Sequence, residues 1–327
     1  MNTQANPTAV INLDFSAYLN QRKNELSHRE ERGVPTYSFA LDRQLRQRLT
    51  SLKPLRSAVQ MYVSFQTTFF AQQMYSGMGY LAVSPQQYGD IYELGEQCAR
   101  RLGIAIPQII VVTMDGMYAA TMASDDKAPL IILSSKLVDS LTPNELLFVM
   151  GHECGHIHNL HGVYNTLVQL ISNPVAEYAI GKISSGRDAS IKQLAAFLIK
   201  SGLEIFLMNW SRSAEITCDR AGLICVGDLN AAQLAFLKIV TGGSVRAEQI
   251  NIDAYVQQLE QMNTLTRVSE LFHSHPLIPR RIQALQAFAE CEKYYEWIEQ
   301  APPASITVRP LIETDRYCQK IISVTGK

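Results

Sequence analysis

The hydrophobic positions of this chain change rhythm several times between its ends. Up to about residue 55 they are sparse and set among charged runs such as QRKNELSHREER and DRQLRQRL. Such runs read as solvated helix faces. Gly33 and Pro35 break the region into pieces. From Leu55 to Leu81 apolar residues mix with Gln, Ser and Thr, which suggests a helix broken at Gly77-Met78-Gly79. Ser84-Pro85 offers a capping serine followed by proline at the first helical position. The helix it predicts runs to Leu102, where Gly103 closes it.

Three short β-like runs follow: QIIVVT from Gln108, YAATMA from Tyr118 and LIILS from Leu130. Turn-prone Asp115-Gly116 and Asp125-Asp126-Lys127 separate them, so a small antiparallel sheet is expected. Thr142-Pro143 with Glu145 three residues after Thr142 is a capping box that opens another helix. Helical patterns recur over 188–200, 203–226, 231–240, 252–262 and 279–295, and the tail carries a β-like SITVRP. The expected fold class is α+β and predominantly helical. Residues 1–84 read as an N-terminal helical extension, 85–295 as the main domain, and 296–327 as a tail packing on it.

Composition narrows the function classes. Hydrophobic residues make up 47% of the 327, enough for a sizeable core. The formal net charge is -1, so no basic excess exists to neutralise nucleic-acid phosphates. Six scattered cysteines form no C-x-x-C pair and read as free thiols in a reducing compartment. The N-terminal stretch lacks the pattern of a secretory signal, which points to a cytoplasmic protein. The most membrane-like stretch, Leu194–Trp210, is interrupted by Lys200 and Glu204. A buried helix is preferred there over peripheral membrane contact.

The chemistry concentrates in GHECGHIHNLH, which holds four of the seven histidines. His152 and His156 are four apart, so a helix puts them on one face, one turn apart. Two imidazoles so placed supply converging zinc ligands, and Glu153 beside them suits a general base. His158 and His161 point roughly 200° and 140° away if the helix continues, and read as surface or second-face residues. The metzincin pattern requires Gly at 159 and His at 162; Asn159 and Gly162 exclude it. Cys154 reads as a packing residue.

A catalytic zinc usually takes a third protein ligand. Glu215 and Asp219 in SRSAEITCDRAGL are again four apart. Two readings stand for them: a solvated charged face, or a third ligand with a carboxylate that orients a histidine. In HSHPLIPRRI, the step into Pro276 keeps His273 and His275 out of a mid-helix position. Either is a loop histidine, and one of them could donate to an oxyanion.

LTPNELLFVMGHECGHI, SRSAEITCDRAG and HSHPLIPRRI together resemble the HtpX-like and CAAX prenyl protease-like zinc metallopeptidases, over roughly Pro85–Leu285. The resemblance implies a zincin-like core binding one zinc ion through His152, His156 and Glu215, with Glu153 as catalytic base. It assigns Asp219 and Arg281 supporting places and makes His275 the oxyanion donor. Tyr118, Ala119, Ala120 and Thr121 match the family's edge strand, where a peptide or unfolded-protein substrate would lie. The clear transmembrane helices of membrane-spanning members are not evident, so a soluble branch is expected. The implied activity is that of a zinc-dependent metalloendopeptidase; the alternative is a latent or non-catalytic scaffold protein.

Overall fold

A computed structural model of the protein describes residues 14–21, 29–31, 33–51, 79–124, 126–165, 203–261, 269–270 and 273–323, together with residues 60 and 168. Of the helix expected over 55–81, residues up to 78 lie outside the described residues, residue 60 excepted, and Tyr80 and Leu81 belong to a strand instead; the helix expected over 188–200 lies outside the described residues.

Helix α1 (Ala40–Ser51) precedes strand β1 (Tyr80–Ala82) and helix α2 (Gly89–Leu102). Strands β2 (Gln108–Val112), β3 (Ala119–Met122) and β4 (Leu130–Ser134) follow, then helix α3 (Pro143–His158). After it come α4 (Leu203–Val226), α5 (Leu229–Val240), α6 (Ile278–Ala289), α7 (Glu292–Ile298) and α8 (Leu311–Ile322).

Helix dominates, as expected, but the sheet is mixed. Its order is β1-β2-β4-β3. β2 and β4 pair in parallel, while β1 and β3 pair antiparallel on either side. The chain leaves β2, runs out to the edge as β3, and returns as β4 into the middle. The long apolar runs of β2 and β4 mark this: their side chains are buried on both faces, as inner strands require. β3 is left as an edge.

Local signals place several helices and misplace others. The capping box of Thr142 and Glu145 forms as expected and starts α3. Gly103, at φ 72°, closes α2. Ser84-Pro85 instead makes a tight turn, with Ser84 and Gln87 exchanging backbone hydrogen bonds, and α2 begins only at Gly89. The pattern over 279–295 divides at Cys291 into α6 and α7. SITVRP forms no strand; it contributes one bridge, between Arg309 and Cys291, ahead of α8. Of Leu194–Trp210, the described part belongs to α4 and buries Leu207, Met208 and Trp210.

The site rests on the packing of α3 against α4. A Cβ added at Gly155 would lie 2.8 Å from Ala221 Cβ and 3.0 Å from Cys218 Cα. A Cβ at Gly222 would lie 2.7 Å from the Phe148 carbonyl oxygen. Only small residues permit this approach. Behind the seam lie Phe148, Met150, Cys154, Leu223 and Cys225, all within the main core. Cys154 is buried there as a packing residue, as its position on the helix suggested.

Gly222→Ala should be destabilising. The substitution gains about 1 kcal/mol of helix propensity. Overpacking against a backbone carbonyl costs up to about 3 kcal/mol and wins. Gly89→Ala, with no atom within 4 Å of the added Cβ, is the control. Equal urea midpoints for the two variants would contradict the seam.

Candidate metal centre

Helix α3 aims His152 and His156 into a cleft of about 310 Å³, with ring centroids 5.0 Å apart. Helix α4 brings Glu215 to face them. Its carboxylate oxygens lie 3.6 Å from His152 Nε2 and 3.5 Å from His156 Nε2. A tetrahedral ion with bonds of about 2.0–2.1 Å keeps its ligand atoms about 3.4 Å apart. The two imidazoles and the carboxylate therefore fit a single metal ion. Ligand-type atoms of His152, His156 and Cys218 also fall within 4.8 Å of one another. Cys218 is the weaker third donor. Its Sγ contacts His161 Nδ1, and His161 faces the ring nitrogen of His156 opposite to the one near Glu215. Burial, reinforced by Glu215 and Asp42, also pushes its thiol well up, whereas a metal binds the thiolate.

The supporting carboxylate is Asp219, one turn after Glu215. Its Oδ1 lies 2.9 Å from His152 Nδ1, so it can hold the proton there and leave Nε2 free. Arg281, from α6, ties the two acids together. Its Nε donates to Asp219 Oδ2 at 2.9 Å, and Nη1 lies 3.2 Å from Glu215 Oε2. The guanidinium sits over the Phe236 ring, 4.8 Å from its centre. Burial alone would raise both carboxyls. The charges of His275 and Arg281 instead hold Glu215 well below the usual range, and Arg281 lowers Asp219. For His152, burial opposes protonation, but the Asp219 hydrogen bond and the Glu215 charge outweigh it and raise the imidazole.

Glu153 lies on the same cleft wall, and the Thr121 hydroxyl donates to its Oε2 at 2.6 Å. Tyr118, Ala119, Ala120 and Thr121 all line the cleft, beside the edge of β3. His275 lines it too, with Nε2 3.6 Å from Glu215 Oε1 and its side chain 62% exposed. His273 is exposed outside it, and its carbonyl accepts from Arg212.

The other two histidines of the cluster overturn the surface reading. His158 and His161 are both buried. Helix α3 ends at His158, and Leu160, at φ 56°, turns the chain back. The His161 N–H then donates to the His156 carbonyl at 2.9 Å, closing a Schellman-type cap. That fold-back sets His161 Nδ1 3.2 Å from His156 Nδ1; Asn165 Nδ2 lies at the same distance. On its far side, His161 Nε2 is 3.1 Å from Asp42 Oδ2. Asp42, from α1, also accepts from Trp210 Nε1 and Thr217 Oγ1. Asp42 thus corrects the reading of its charge run as solvated. Its spacing within α1 carried one signal, since it shares a face with the apolar Leu45 and Leu49.

A helix bearing H-E-x-x-H, a glutamate from the next core helix and an edge strand along the cleft define a zincin-type peptidase scaffold. The chain belongs to peptidase family M48, whose profile matches residues 85–289. It is 28% identical over 230 residues to the plastoglobule-localized metallopeptidase 48 of Arabidopsis thaliana, covering 67% of this chain and 62% of that protein. It is 28% identical over 209 residues to protease HtpX of Salmonella arizonae, covering 58% of this chain and 69% of that one. No solved structure gives a significant match. Among the described residues, no helix is long and apolar enough to cross a membrane.

Arg281→Met strands two buried carboxylates. The metal-free protein should lose about 3–5 kcal/mol at neutral pH, read from urea unfolding. Both acids are depressed in the fold, so their stabilisation is complete above the ordinary carboxylate range and is lost as pH falls through the folded values. The gap between wild type and variant should therefore shrink below about pH 4. A gap that stays constant into acid would contradict the assigned pairing.

Proposed function

We propose that the protein is a zinc-dependent metalloendopeptidase acting on peptides or unfolded protein segments. The observation that carries this reading is the convergence of His152 Nε2, His156 Nε2 and the Glu215 carboxylate beside Glu153 in one open cleft. Family membership and the protease names of the relatives support it. Two imidazoles and a carboxylate favour zinc, one ion per chain.

When bound, zinc polarises the scissile carbonyl and acidifies water. Glu153 takes the proton of the attacking water and hands it to the leaving amine. The Thr121 hydroxyl holds one oxygen of that carboxylate in place. His275, exposed at the cleft with its Nδ1 2.8 Å from Ser274 Oγ, donates from Nε2 to the developing oxyanion. Arg281 and Asp219 hold Glu215 and His152 in register.

The substrate backbone adds to β3. The Tyr118 carbonyl accepts from the Ser134 N–H, so by alternation the N–H and C=O groups of Ala119 and Thr121 face away from β4. Among the described residues no strand pairs with that side. An extended peptide fits there by main-chain hydrogen bonding. The open edge ends at Ala123, where the chain at Gly162 closes in. A reducing, cytoplasm-like compartment agrees with six free, buried cysteines.

The test compares zinc-loaded wild type with Glu153→Gln on a mixture of unfolded proteins, reading cut peptides by mass spectrometry. The variant should bind zinc normally and cut at least about 10²-fold more slowly. Full turnover in the variant, or no cleavage by zinc-loaded wild type, would sink the proposal.

A further inference from the structure

His152 and His156 reach carboxylates in different ways. His152 meets Asp219 directly. Among the described residues His156 has no carboxylate at Nδ1; it has a second imidazole there, and behind that imidazole a carboxylate from α1. Hydrogen-bonding logic fixes the protons along this row. A metal-binding Nε2 must be bare, so His156 Nδ1 carries the hydrogen and needs an acceptor. His161 Nε2 faces Asp42, which as a carboxylate only accepts. Asp42 is so engaged that its two oxygens take three donors: Trp210 Nε1, Thr217 Oγ1 and His161 Nε2. His161 therefore carries its hydrogen on Nε2, and its bare Nδ1 is the acceptor that His156 requires, 3.2 Å away. Asn165 Nδ2, at the same distance, is a donor and cannot meet that need.

We infer that Asp42 and His161 form a positioning pair that fixes the tautomer and ring orientation of His156, so that α1 is a working part of the metal centre. This rests on the metal-binding reading above. Asp42 lies outside the residues 85–289 that match the family profile. The row runs from the Asp42 carboxylate through His161 to His156 with one hydrogen at each step. Trp210 holds its outer end, since its ring also packs edge-on against His161 with centroids 5.5 Å apart. Neither Asp42 nor His161 lines the cleft, so the pair's effect is on how tightly the metal is held.

The experiment uses the full chain and zinc alone. Affinity is read by chelator competition for wild type, His161→Leu and His161→Asn, alongside the unfolding midpoints of the metal-free forms. Leucine removes the acceptor; the asparagine carbonyl sits where Nδ1 was. Zinc affinity should fall about 10–100-fold in His161→Leu and recover in His161→Asn. Both variants cost Asp42 a donor, so a merely structural role would weaken both alike, in step with stability. Such a parallel loss, or wild-type affinity in His161→Leu, overturns the inference. Asp42→Ala should weaken zinc binding in the wild-type background and add little to His161→Leu; additive losses count against the pair. Nitrogen-15 spectra of the wild-type zinc form read the tautomers without any variant. They should show Nδ1–H on His156 and Nε2–H on His161, and the reverse on His161 overturns the assignment. Wild type that binds no zinc removes the metal reading itself, a failure distinct from these.

Discussion

The distance between α3 and α4 sets everything the site can do. The two histidines and the glutamate proposed as ligands come from different helices, so their separation is an interhelical distance. Gly155 on one helix and Gly222 on the other admit backbone where other residues would place a side chain. With that approach, Glu215 oxygens come within 3.5–3.6 Å of both His152 and His156. A shift of even 1 Å would take the donors outside the geometry of one small cation. Gly155 sits between Cys154, turned to the core, and His156, turned to the cleft. The x positions of the H-E-x-x-H motif are therefore not interchangeable here.

Close packing brings acidic groups into a place where charge is costly, and the electrostatics answer that cost. Glu215 and Asp219 are both buried, and each would resist ionisation alone. Arg281 reverses this by meeting both with one planar fork, a geometry lysine could not supply. Phe236 under the guanidinium keeps the fork flat against the site. Three helices thus meet through one cation: α4 gives the acids, α6 the arginine and α5 the aromatic ring. Orientation of His152 follows from it, because Asp219 is itself held.

Local signals were enough to read the helix that carries the H-E-x-x-H motif. The capping box, the four-residue spacing of His152 and His156, and the matching spacing of Glu215 and Asp219 all depend on short-range geometry, and all appear as expected. What sequence did not disclose depends on longer range. The parallel pairing of β2 with β4 could not be seen, because β3 intervenes in sequence but not in space. His161 was hidden by the turn itself. A helix end of this type normally shows glycine, whereas Leu160 occupies the left-handed position and Gly162 comes two residues later. With no glycine to stop it, the helix seemed to run on and carry His161 away. Asp42 was hidden by its neighbours, since the arginines and glutamines around it suggest water while Asp42 is the one polar residue of the run that is buried.

These hidden residues change how the N-terminal segment is to be understood. A segment that only covers a cleft can be removed and leave the centre intact. Residues up to 84 instead supply Asp42 behind His161 and the strand β1 that pairs with β2. Tyr37 adds a further tie, its hydroxyl meeting both His158 Nδ1 and Asn159 Nδ2 at the end of α3. Ser38 Oγ and Arg46 Nη1 donate to the same Asn159, on its side chain and its carbonyl. The end of α3 is thus held by residues more than a hundred positions earlier in the chain. Because that end fixes Leu160, and Leu160 turns His161 inward, the N-terminal segment bears on the proposed metal centre through the backbone as well as through Asp42. Its removal would alter the centre itself, so lost activity in a truncated chain is no evidence about access to the cleft.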